Sequence, residues 1–124
     1  MKNKTQILIA VLMMTATSNL FAQTGKKDKQ DSSPMKTYLI ERDIPGAGNL
    51  TANDLKGISQ KSCSVLSEMH DIQWVHSYVT GNKIFCVYNA KDESLLREHA
   101  QKGGFPITTI TDINSLISPE TAKK

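Results

Sequence analysis

The sequence carries none of the short signatures that mark a catalytic centre. It has no CxxC, no HExxH, no GxSxG, and no phosphate-binding glycine loop closed by Lys-Ser/Thr. The glycines of PGAGN (residues 45–49) lead into no helix-start lysine and read as a loop. Any enzyme built on this chain would work with a few scattered residues. Net charge is also scarce. Removing an N-terminal segment of 22 of the 124 residues takes away Lys2 and Lys4, leaving 102 residues and lowering the formal charge from +3 to +1. A near-neutral chain has no electrostatic footprint for nucleic acid, which excludes that class of partner. Long apolar runs are missing too: Ile7–Met14 falls short of the roughly 20 residues needed to span a bilayer.

What the first residues do contain is the order of a secretory signal. A lysine-bearing start is followed by the apolar run and a small-residue region ending in LFA before Gln23. Residues 1–22 are therefore expected to be removed, with the mature protein periplasmic or secreted and free of the membrane. QTGKKDKQDSSP (residues 23–34) has no large apolar residue and reads as a disordered linker. Residues 35–119 form the domain, and residues 120–124 a short tail.

Within the domain the punctuation is regular. KTYLIER alternates as a strand and gives way to a Pro/Gly loop. Thr51, with Asp54 three residues on, caps a helix running to about Met69 on Leu55, Ile58, Ser62, Val65 and Leu66. IQWVHSYVTGNKIFCVYNA (residues 72–90) is a β-hairpin whose Gly81-Asn82 suggests a type II′ turn. Asp92 opens a second helix that Gly103-Gly104 stop, and FPITTITDINSLI returns to strand. The order β-α-β-β-α-β predicts an α+β, ferredoxin-like fold, with both helices on one face of a four-stranded antiparallel sheet.

The other face then needs a cover. With Thr80 opposite Lys83, one hairpin face carries Trp74, His76, Tyr78, Phe85 and Val87. The other carries Val75, Ser77, Val79, Ile84, Cys86 and Tyr88. The first is a broad aromatic patch of the kind that marks an interface. It predicts a homodimer packed sheet to sheet.

Four residues are candidates for chemistry on that frame. His76, mid-strand on the aromatic face, offers an imidazole to a transition metal, or serves as an interface histidine bonded to a carbonyl. Tyr78 beside it offers a phenol, or an amphipathic interface contact. Glu41 is a carboxylate in the body of a strand, available to the hairpin or to a cationic neighbour. His99 either closes a site from the second helix or sits as a cation at that helix's C-terminal end. His70, at the first helix end, has only the latter explanation. Cys63 and Cys86 would close a loop of about 24 residues worth about 3 kcal/mol as a disulfide, or remain as buried thiols.

YLIERDIPGAG, ISQKSCSVL, IQWVHSYVTGNKIFCVY and LLREHAQKGGFP together resemble the small nickel-binding proteins first characterised in actinobacteria. The resemblance spans about residues 36–118. It implies a ferredoxin-like homodimer that binds nickel at or near its interface; on the matching segments His76, then Glu41, Tyr78 and His99 are the candidate ligands, ranked by their chemistry as donors. It implies metal buffering or sensing in place of catalysis. The competing expectation is a small cofactor-free isomerase or monooxygenase with His76 and Tyr78 as acid/base groups in a pocket. A third is an interaction module whose aromatic face only holds a dimer.

Overall fold

The structure is a computed structural model and describes residues 32–124. The expected signal segment and all but the last residues of the linker lie outside the described residues. The elements are β1 (Lys36–Asp43), α1 (Ala52–Leu66), β2 (Ile72–Val79), β3 (Lys83–Ala90), α2 (Glu93–Gly103) and β4 (Thr109–Ile113). The antiparallel sheet has the order β2-β3-β1-β4, the ferredoxin-like arrangement.

Burial alternates along β1, so Tyr38, Ile40 and Arg42 point to the helices while Leu39 and Glu41 face away. β3 repeats the pattern with Ile84, Cys86, Tyr88 and Ala90 buried. Tyr38 and Ile40, the four β3 residues, Ala47, Ile72 and Leu96 of α2 make the core. In α2 the buried positions are Leu96, His99, Ala100 and Gly103, the spacing of one helical face. Asp92 caps this helix by accepting the Ser94 and Leu95 amides at 2.9 and 3.3 Å. Gly104, at φ 69°, ends it in the left-handed conformation that favours glycine. The Phe105 amide then returns to the Ala100 carbonyl at 2.8 Å, which folds the Phe105 ring back against the helix.

α1 begins with a full capping box. Thr51 Oγ1 accepts the Asp54 amide at 3.2 Å, and the Asp54 carboxylate accepts the Thr51 amide at 2.9 Å. These bonds hold the Asp54 pKa below its ordinary value. Thr51→Ala is expected to lower stability by about 1 kcal/mol in urea unfolding, with Thr51→Ser close to wild type. The α-helix ends at Leu66, short of Met69: the Ser67 amide still bonds the Cys63 carbonyl four residues back, but the Glu68 and Met69 amides bond three residues back.

Two details of the hairpin differ from expectation. Gly81 does not take the positive φ that a type II′ turn requires. Thr80 instead closes the loop, its Oγ1 accepting the Lys83 amide at 3.2 Å. The loop after β1 docks on this turn through Gly48 N–H to Gly81 O at 3.0 Å, where a Cβ on Gly48 would lie 3.1 Å from Gly81 Cα.

The second difference is larger. Below the turn the predicted pairs form, with Tyr78 opposite Phe85 and His76 opposite Val87, but the register shifts between Trp74 and His76. This bulge pairs Trp74 with Tyr88 and moves the indole to the helix side, leaving Val75 exposed. Trp74 therefore leaves the aromatic face assigned to it from strict alternation.

Candidate functional site

Two surfaces of the sheet carry chemistry, one on each face. On the bare face the ladder lays side chains in rows: Tyr78, Phe85, Glu41 and Thr109 in one, His76, Val87, Leu39 and Thr111 in the next. His76 and Tyr78 touch ring to edge, with centroids 5.0 Å apart. Tyr78 is 60 % exposed. Glu41 is already engaged: Lys83 Nζ bonds its carboxylate, and Thr109 Oγ1 donates to it at 3.1 Å. The Lys83 bond, then that from Thr109, holds the Glu41 carboxyl below its ordinary pKa. So the carboxylate pairs with a lysine of its own sheet, while Arg42 lies on the opposite face.

His99 lies on the other side of the sheet and is fully buried. Its Nε2 bonds Ser62 Oγ at 3.1 Å, and its ring packs 5.3 Å from both the Tyr88 and Phe105 rings. Nδ1 has no partner. Burial, reinforced by the Arg42 charge, lowers its pKa to about 4. The helix terminus that would favour an imidazolium thus loses to desolvation.

The four predicted residues therefore do not converge within one chain. His76 and Tyr78 are together, and Glu41 is two strands away, about 10 Å across the sheet. His99 faces the helices. Among the described residues no group of three His, Cys, Asp or Glu side chains is placed to hold a metal ion. One imidazole and one phenol from a single chain are too few donors for a transition ion, and the bare face fits nickel only if a second copy adds its own. Cys63, exposed, and Cys86, buried on the helix side, are both free thiols, so the disulfide is not formed.

The helix side holds a feature the sequence did not announce. Of α1 only Ser62 is buried, and the helix stands off the hairpin to leave a cavity of about 410 Å3. Its walls include Leu55 and Ile58 of α1, Trp74 and Val79 of β2, and Ile84 of β3; Arg42, Ser62, Tyr88 and Phe105 also line it. Trp74 is fixed there by Nε1–H donating to Ser77 Oγ at 2.9 Å. Burial raises the Tyr88 pKa, with Ser62 and Arg42 acting against it. His76 and Tyr78 do not line this cavity, so it is not the pocket that an acid/base role for those two requires. Arg42 was the missed residue. Its signal was parity, since it shares the strand face of Tyr38 and Ile40 in KTYLIERD.

No helix of the described residues is long and apolar enough to cross a membrane. A search of curated proteins gave no match. Among solved structures, the crystal structure of SCO4226 from Streptomyces coelicolor A3(2) is similar, with a TM-score of 0.57 at 11 % identity, covering 65 % of this chain and 99 % of that one. At that identity the likeness concerns the fold. The family described as nickel responsive protein SCO4226-like matches residues 38–113, more than half the chain. The chain belongs to the SCO4226-like family of nickel-responsive proteins.

Proposed function

We propose that this protein is an exported, non-enzymatic homodimer that binds nickel where the bare faces of two sheets meet, and that it buffers or senses the metal. The observation that carries the reading is the His76–Tyr78 pair, solvent-facing beside Phe85, Val87 and Leu39 on the bare sheet face, in a chain of a nickel-responsive family. Imidazole nitrogen suits nickel, and phenol or carboxylate oxygen can complete its shell. Two copies packed face to face supply two imidazoles, and the same packing covers Leu39, Phe85, Val87 and Tyr78. Export rests on the charged, apolar and small-residue order of residues 1–22.

Protein purified from its own host, without added metal or affinity tag, is expected to carry nickel in elemental analysis and to begin at Gln23 by mass. Recovery with stoichiometric zinc, or with no metal, would count against the nickel reading.

A further inference from the structure

We propose that the cavity between α1 and the β2–β3 hairpin binds a small organic anion, a carboxylate with an apolar body, and that Arg42 is its counter-ion. The cavity's charge is one-sided. Arg42 and Lys61 line it, and no aspartate or glutamate does. Arg42 is only 4 % exposed, yet no carboxylate pairs with it among the described residues. Burying a guanidinium without a counter-charge is costly, so its retention at the cavity wall points to an anion from outside.

The guanidinium is held in place but not used up. One N–H of Nη1 donates to the Pro106 carbonyl at 2.6 Å, and the group sits 5.5 Å from the centroid of the Phe105 ring. An arginine has five N–H donors in a rigid fork, so others remain for a carboxylate. Lys61 stands at an exposed position near the same ring, its Nζ 5.9 Å from the centroid. Beside Arg42 the Ser62 and Tyr88 hydroxyls line the wall, already bonded to His99 and to each other, so Arg42 supplies the charge recognition. His99 behind them is neutral at physiological pH and adds no competing charge.

The rest of the cavity argues for the apolar body. Leu55, Ile58, Trp74, Val79 and Ile84 give a hydrated inorganic anion nothing, but they shelter an alkyl or aryl group. The volume lies within the usual range of small-molecule sites, roughly 300–1,000 Å3. This site is separate from the proposed nickel face, since the sheet lies between them.

Trp74, the single tryptophan, lines the cavity and reports its occupancy. The test is titration of the full chain with decanoate and with 1-decanol, both below aggregation, followed by Trp74 fluorescence. Decanoate is expected to saturate the signal at one molecule per chain and to bind about tenfold or more tightly than decanol. Arg42→Met is expected to erase that preference by weakening decanoate binding, and decanoate held as tightly by Arg42→Met as by the wild type would overturn the proposal. Equal affinities for acid and alcohol in the wild type, or no response to decanoate, would overturn the proposal. Should Arg42→Met fail to fold, the wild-type comparison decides alone, because it needs no variant.

Discussion

Taking the protein from pH 7 to pH 4 is expected to cost the folded state about 3 kcal/mol through His99 alone. The ring is fully buried and its pKa stands near 4, against an ordinary value of 6.5. Ser62 of α1 favours the protonated ring through its hydrogen bond, but burial and the positive Arg42 of β1 outweigh it, and the Tyr88 and Phe105 rings bring no counter-charge. The unfolded chain binds a proton near pH 6.5 and the folded chain only near pH 4. His99's contribution is therefore complete above about pH 6.5 and is lost progressively down to about pH 4. Small domains hold only about 5–15 kcal/mol in total, so the loss is visible in urea midpoints. Asp54 and Glu41, whose pKa values are lowered, add losses only at the acid end, below their ordinary values of 3.8 and 4.5. His99 therefore loses its contribution at higher pH than either carboxylate does. His99→Leu should flatten the stability curve there, and a variant that keeps the wild-type slope would exclude this origin.

Ile40→Ala is expected to destabilise the domain by about 2–5 kcal/mol, measured by urea unfolding at pH 7. Ile40 has no exposed surface and sits mid-strand on β1, between Cys86 of β3 and Ile110 of β4. The ladders on both sides hold the flanking strands at fixed spacing, so the space left by the lost carbons cannot collapse. The bare-face residue Leu39, next in sequence, tests the contrast. It is only half-buried within one chain, so Leu39→Ala should cost much less in a monomeric state.

How far the fold was legible can be followed residue by residue. Strand alternation, the Thr51–Asp54 capping box, the Asp92 cap and the Gly104 stop are local devices, and each gave its element in the right place. The face of Trp74 was not legible, because WVH contains no glycine or proline to mark the bulge. What rewards the bulge is long-range: the indole reaches the half-buried layer over Tyr88 and bonds Ser77. The turn type failed for a similar reason, since Thr80's side chain and the docked Gly48 loop decide the conformation at Gly81.

Sequence also grouped His99 with His76, although their elements deliver them to opposite faces of the sheet. The cavity was partly readable in retrospect. Ser59 and Ser62 stand among Leu55 and Ile58 on the sheet-facing side of α1, and such small residues cannot fill the space above a hairpin. Arg42 was readable too, from its parity in β1. Its lack of a carboxylate partner was not, because that depends on every element packed around it.

The claim that nickel is held between two bare sheet faces is tested most directly by one measurement. Nickel is titrated calorimetrically into metal-stripped protein, wild type and His76→Ala, with the molar mass of each followed by sedimentation. The account predicts saturable binding by a wild-type dimer and a loss of about tenfold or more in His76→Ala, the cost of removing one ligand type from the site. Binding of undiminished affinity in His76→Ala, or a wild-type protein that takes up no nickel, would contradict it.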